Sequence, residues 1–281
     1  MINMIKADFY RIIRNKALYI AVFLLVFMLG ISIYMVEPGM LGNAQVSLNQ
    51  EVTEEITFNG VTSEEYGDMS MSDFRKAIVH SDGYELDREI IANNMNLYYI
   101  FIFIVAIVIS ADFSSKGVKN TLSSAISRRK YFMSKILFVN LLCLVLFFLN
   151  TYLAHFGNII FNSKEISASL GTITRTTLLQ LPPMLASVSI LTGFAFILRK
   201  NSLFNTVTIP LILVFQIILS TSAMLLKIPE KFLNYELQSM FVTLAHNPSN
   251  QYISNSCLVC AVIVILFNVI GYMCFKKSEI K

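Results

Sequence analysis

Six apolar blocks, residues 17–36, 97–111, 136–156, 178–198, 203–226 and 256–275, constrain this chain more than anything else in it. Most are near the roughly 20 residues a helix needs to cross the hydrocarbon core of a bilayer. The residues between them are too few and too uncharged to clothe a soluble globule: 14% of the chain is charged, against roughly 25% in an ordinary soluble domain. The pattern predicts an all-α membrane protein with six transmembrane helices, over 17–36, 97–111, 136–156, 178–198, 203–226 and 253–275. The second block is short, and Met95 and Asn96 ahead of it, with its tyrosines, suit an interface.

Lys6, Arg11, Arg14 and Lys16 precede the first block, as in a signal peptide. Its apolar run is longer than a usual signal core and no convincing small-residue cleavage site follows, so it reads as an anchor. With six spans both termini share a side. Segments on that side carry 15 bases against Asp8, Asp112 and Glu279, a net of +12, and the other side carries 7 bases against 15 acids, a net of −8. Lys and Arg accumulate in cytoplasmic loops, so both termini, 1–16 and 276–281, are expected to be cytoplasmic.

The stretch 37–96 is then an acidic external domain, with Glu51, Glu54, Glu55, Glu64, Glu65 and Asp68 closely spaced. A hairpin turning at Asn59–Gly60 and a helix broken near Gly83 predict a small α/β unit. About 60 residues is marginal for one core, so it should lean on the spans or a partner. Between the fifth and sixth spans, within 227–252, Leu233, Leu237, Met240, Phe241 and Leu244 form a helical apolar stripe, expected to lie flat in the outer leaflet or dip into it. Pro182, Pro183 and Pro210 should kink their helices.

The passage 112–135 leaves the apolar phase between the second and third spans and then returns. Val118, Leu122, Ala125 and Ile126 share a helix face, Lys116, Lys119, Asn120 and Ser123 point elsewhere, Ser114 and Ser115 can cap the start, and a basic turn, Ser127 to Lys130, closes it. Physical chemistry leaves two readings open. The charges fix topology and touch anionic lipid, or the helix is a rigid element presented to a cytoplasmic motor.

The stretch "DFSSKGVKNTLSSAISRRKYFMSK" resembles the cytoplasmic segment of permease subunits of bacterial ABC exporters of the type-2 membrane family. The matching positions are Asp112, Gly117, Lys119, Leu122, Ser127 and Arg128. The opening "MIKADFYRIIRNKALYI" is similar to that family's start, an interfacial helix with Ile5, Phe9, Ile12 and Ile13 on one face and Arg11 and Arg14 on the other. The resemblance implies a half-transporter in the bacterial cell membrane. It would work with a second permease, identical or related, and two separate ATPase subunits that bind ATP and magnesium. The coupling helix, with Ile126 beside the matching residues, would dock on the motor. No G-x-x-x-x-G-K-[ST] phosphate loop occurs in the sequence.

Polar residues inside spans, Asn140, Asn150, Thr151, His155, Gln180, Gln216 and Asn268, read first as interhelical hydrogen-bonding groups. Gln216, His155, Asn150 and Gln180 are the candidates for a substrate path. His80, His155 and His246 are far apart and form no metalloprotease motif. Cys257 and Cys260 spell C-x-x-C without a second pair, which favours helix packing over zinc or redox chemistry; Cys143 and Cys274 also fall in apolar spans. No catalytic, metal or nucleic-acid site is expected. The leading function is export of a hydrophobic or amphipathic compound, an antimicrobial or signalling peptide. The alternative is a stand-alone immunity or sensor protein that binds a cationic peptide through the acidic domain. An intramembrane enzyme lacks any catalytic constellation.

Overall fold

The computed structural model describes residues 2–35, 91, 92, 94, 97–115, 117–123, 126–161, 168–226, 234–246 and 248–277. Among them there is no strand. The hairpin expected at Asn59–Gly60, the break near Gly83, Met95, Asn96 and most of the acidic segment lie outside the described residues.

Helix α1 (Ile2–Ile13) and helix α2 (Lys16–Met35) are separated by a sharp turn, with a 70° bend between Asn3–Ile13 and Lys16–Ile31. The side chain of Asn15 holds the turn by accepting a hydrogen bond from the amide of Ala17. Helix α3 (Leu97–Ser114) contains a π-helical stretch, Ala106–Ser110. Such a stretch inserts one residue and rotates the next turn by about 100° relative to an unbroken helix. Helix α4 (Gly117–Ser123) is only 7 residues long, shorter than the passage predicted. The expected basic turn is instead the first turn of helix α5 (Arg128–Phe161). Ser127 caps it, its hydroxyl accepting from the Lys130 amide and its carbonyl from Tyr131. The helix starts early because Tyr131, Ser134, Lys135 and Phe138 are buried at helical spacing against the bundle.

Helix α6 (Leu170–Leu179) and helix α7 (Leu181–Leu198) meet at Gln180, which ends one and begins the other. The predicted kink at Pro182 and Pro183 is therefore a helix start: the two rings occupy the first turn, where a missing amide costs nothing. Helix α8 (Asn201–Leu226) carries Pro210 in its interior. Helix α9 (Leu237–Ala245) is capped by the carboxylate of Glu236, and helix α10 (Asn250–Lys276) by the hydroxyl of Ser249.

Four of these helices, Leu97–Ser114, Arg128–Ile160, Leu181–Leu198 and Asn250–Lys276, are long and apolar enough to cross a membrane, or five if the bent α1–α2 pair counts as one span. Their outward faces carry Phe23, Phe27, Leu141, Val145, Leu258, Val262 and Ile265, all exposed. A contiguous apolar surface of this extent belongs in lipid.

Helices α7 and α10 run side by side in the same direction. The seam is made of small residues: a Cβ built on Gly271 would lie 3.2 Å from the Gly193 Cα, and one on Gly193 would lie 3.1 Å from the Phe267 carbonyl oxygen. Asn268 donates to the Ser189 hydroxyl across it (3.3 Å). This is the close approach that small residues permit between helices in lipid. Cys260 packs in the same seam, its Sγ 3.6 Å from the Met240 Sδ, and the described cysteines are all free. The apolar stripe of α9 faces protein: Met240, Phe241 and Leu244 are buried against Ala186, Cys260 and Phe147. Leu233 lies outside the described residues. The stripe turns inward because α6, α7 and α10 offer a protein surface that the sequence pattern could not distinguish from lipid.

Replacing Gly271 by Leu should lower the thermal unfolding midpoint of the purified chain in detergent, with a loss of about 1–3 kcal/mol for forced overpacking. Gly30→Leu, at a site with nothing within 4 Å, should leave the midpoint unchanged.

Candidate functional site

The turns, caps and side chains at one end of the bundle bring helix α1 and the end of helix α10 together with described parts of the 112–135 passage. Arg128 donates to the carbonyl of Lys276 (2.6 Å), Arg199 to that of Cys274 (2.9 Å), and the amide of Asn201 to the hydroxyl of Ser114 (3.1 Å). Ser114 thus serves the start of α8. Arg199 has left-handed backbone geometry (φ 55°), which turns the chain sharply between α7 and α8.

At the centre of this end, four charged side chains from α1, α3 and α5 form a closed ring. Lys135 Nζ lies 2.6 Å from Asp8 Oδ1 and 2.6 Å from Asp112 Oδ2. Arg11 completes the circle, pairing with Asp112 through one nitrogen and with Asp8 at 3.2 Å through another. Each base touches both acids, so the ring is neutral. It is also largely dry: the side chains of Lys135, Asp112 and Asp8 are 3%, 5% and 10% exposed, while Arg11 is 44% exposed. Burial opposes the charge on Arg11, but Asp112 and then Asp8 outweigh it and hold the guanidinium above its ordinary pKa.

The backbone places these groups for identifiable reasons. Asp112 lies two residues after the π-helical stretch, and Arg11 also reaches the carbonyl of Val108 within it (3.5 Å). Tyr131 and Lys135 are one turn apart on α5. The Tyr131 hydroxyl donates to Asp112 (3.0 Å), and Lys135 Nζ sits 5.5 Å from the Tyr131 ring centre. Tyr131 also joins the ring of charges to an aromatic cluster. Tyr131 packs on Phe275 (5.6 Å), and Phe113, Phe132, Phe196, Tyr272 and Phe275 pair with one another with centroids 4.6–6.0 Å apart. Such pairs contribute about 0.5–1.5 kcal/mol each beyond burial, so α3, α5, α7 and α10 are fastened directly beneath the charges.

The residues singled out in the 112–135 passage divide between inside and outside. Asp112 is buried in the ring, Val118 is buried, and Leu122 and Ile126 pack against the bundle core. Lys119, Asn120 and Ser123 are exposed. Ser127 and Arg128 are structural, one capping α5 and the other holding the end of α10. Gly117 leaves room for a methyl group, with no contact closer than 3.4 Å. Lys116 and Ala125 lie outside the described residues.

The α1 face assignments change. Ile5 and Ile12 point to the bundle, but Phe9 and Ile13 are exposed, and Arg11, expected on the polar outer face, turns inward to Asp112. Asp8, Tyr131 and Lys135 were not among the residues the sequence singled out. One signal was present: Asp8 and Asp112 are two of only three acids on a side that carries 15 bases.

At the opposite end, about 23 Å further along α5 at 1.5 Å per residue, a second polar group is buried. Gln180 donates to the carbonyls of Ile91 (3.1 Å) and Phe241 (2.8 Å), and accepts from Asn94 (3.0 Å). Asn150 donates to Asn94 (2.9 Å), with Thr151 alongside. Asn150 and Gln180 are therefore brought together, through Asn94, in an interhelical network. His155 is buried one turn beyond Thr151, and the side chain of Gln216 lies outside the described part. The network pins the helix break at Gln180 and the short helix α9 to the end of the acidic segment.

Lys135→Met should destabilise the chain by about 3–5 kcal/mol, because it leaves buried carboxylates short of a partner. Arg11→Gln should cost less, since water reaches that corner. Lys135→Met combined with Asp112→Asn, which restores neutrality, should recover part of the loss. Thermal unfolding in detergent measures all three.

A family model for an ABC-2 family transporter protein matches residues 2–280 of the chain. No curated protein and no solved structure matches. The match takes in both arms of the charge ring, α1 and the α3–α5 segment, as well as the paired helices α7 and α10. The chain belongs to the ABC-2 family of transporter membrane proteins.

Proposed function

We propose that this chain is the permease subunit of an ATP-driven exporter in the bacterial cell membrane. On this reading it has six spans, with α2 and α8 included and α1 at the interface, and the charge-ring end faces the cytoplasm. Separate ATPase subunits supply ATP hydrolysis, with magnesium, and a second permease completes the pathway. The observation that carries this is the arrangement of the 112–135 passage. Its apolar side chains are packed into the bundle, and only Lys119, Asn120 and Ser123 of the short helix face outward. A push delivered to α4 passes to α3 and α5, whose ends the ring of charges and the aromatic cluster tie to α1, α7 and α10. A loop that only reversed direction would need none of these contacts.

The cargo is a hydrophobic or amphipathic compound, with a cationic peptide the best fit to the acidic composition of 37–96. Broad apolar faces on α2, α5 and α10 give a compound dissolved in the leaflet lateral access to the protein. The Asn94–Asn150–Gln180 network would then respond to cargo at the outer end, since a change at Gln180 moves the joint between α6 and α7.

Orientation is tested by cysteine labelling in intact cells. In a background without the native cysteines, Ser70→Cys should react with an impermeant maleimide and Lys277→Cys should not; the reverse result would overturn the topology. The motor contact is tested on exposed residues, because Leu122→Asp would also disturb this chain's own packing. Lys119→Glu with Asn120→Glu should keep membrane abundance and thermal stability but lose the ATPase during affinity purification from the native membrane. Retention of the ATPase by that variant would sink the coupling role.

A further inference from the structure

Helix α1 has two faces of different use. The inner one, with Asp8, Arg11 and Ile12, is spent on the bundle. The outer one presents Lys6, Phe9, Tyr10, Ile13 and Arg14 within an arc of about 140° at 100° per residue. Phe9, Tyr10 and Ile13 are 54%, 63% and 42% exposed, and Lys6 and Arg14 are exposed too. Arg14 is held in place, donating to the Tyr10 hydroxyl (2.7 Å) with its guanidinium 5.1 Å from that ring's centre. The only acid of α1, Asp8, is turned inward. The outer face therefore carries uncompensated positive charge around an aromatic and aliphatic patch, with exposed Lys16 at the elbow.

We propose that this face of α1 binds the headgroup layer of anionic phospholipid. The 70° bend to the apolar helix α2 lays α1 nearly in the bilayer plane when α2 runs along the normal. Aromatic and aliphatic side chains then reach the acyl boundary, and Lys6 and Arg14 meet the phosphates. Charge selects the lipid: a zwitterionic headgroup satisfies the aromatic patch equally well but leaves both bases without a net counter-charge. The face also sits on the back of the ring helix, so lipid held there fixes the position of Asp8 and Arg11 relative to Asp112 and Lys135.

The test uses the full chain in detergent micelles with spin-labelled phosphatidylglycerol and phosphatidylcholine, reading the motionally restricted fraction of each. No motor or cargo is needed, so the result is independent of the permease reading. The chain should prefer phosphatidylglycerol, and the preference should shrink as salt screens it. Lys6→Gln with Arg14→Gln should reduce the preference by about fivefold per charge, with unfolding temperature unchanged because neither residue touches the ring. Lys200→Gln with Lys277→Gln, at exposed bases on the same end, should keep it. The proposal is overturned if the α1 variant retains the preference, or if the control variant loses it equally, which would mean a diffuse collar of charge. It is also overturned if the α1 variant keeps the lipid preference while losing a protein partner, since the face would then be a protein contact.

Discussion

Charges removed from water must be paired, and the arrangement of this bundle depends on how four of them are. Placing Asp8, Asp112 and Lys135 in a nearly dry site is costly unless each finds a counter-charge and hydrogen bonds in good geometry. The closed ring supplies the counter-charges by giving each base two acids, and leaves one buried oxygen, Asp8 Oδ2, without a hydrogen-bond partner. Because its members come from α1, α3 and α5, the closed set of four contacts forms only when the three helices are docked together. The π-helical stretch before Asp112 and the turn at Asn15 belong to the same solution, for they bring Asp112 and Arg11 into reach.

Everything else at this end of the molecule is built outward from that ring. Tyr131 links it to the aromatic cluster, whose Phe196 and Phe275 sit on the two helices joined by the Gly193–Gly271 seam. Packed cores shift between discrete arrangements rather than deforming smoothly, and the aromatic cluster makes α3, α5, α7 and α10 one packed unit at this end. At the other end, the Gln180 network does the corresponding work with neutral groups. Interhelical hydrogen bonds in membranes are worth only about 0.6 kcal/mol on average, so that joint is held less firmly than the ring.

Some of this could be read directly from the order of residues. Apolar blocks near the length of a bilayer crossing, with charge of one sign accumulating on alternate connections, leave few folds available, because lipid admits only structures that satisfy their own backbone. The interruption at 112–135 was visible for the same reason: Lys119, Arg128, Arg129 and Lys130 cannot sit in hydrocarbon. The likeness of its Asp112, Gly117, Lys119, Leu122, Ser127 and Arg128 pattern to exporter permeases pointed to the family that the match over residues 2–280 establishes.

Which face of each helix meets protein and which meets lipid was settled only by the tertiary structure. Hydrophobic periodicity separates water from everything else, and in a membrane both protein and lipid lie on the apolar side of that division. For this reason Phe9 and Ile13 face out while Ile5 and Ile12 face in, and Met240 and Phe241 are buried among helices. The ring of charges was hidden by distance along the chain, with 127 residues separating Lys135 from Asp8. A lysine at the foot of a span reads as a topology signal until a carboxylate from another helix is seen 2.6 Å away. Sequence by itself determined the phase each segment occupies, because transfer between water and hydrocarbon is a property of the residue. The pairing of Asp8, Arg11, Asp112 and Lys135 is a property of three helices in contact, and only their packing decided it.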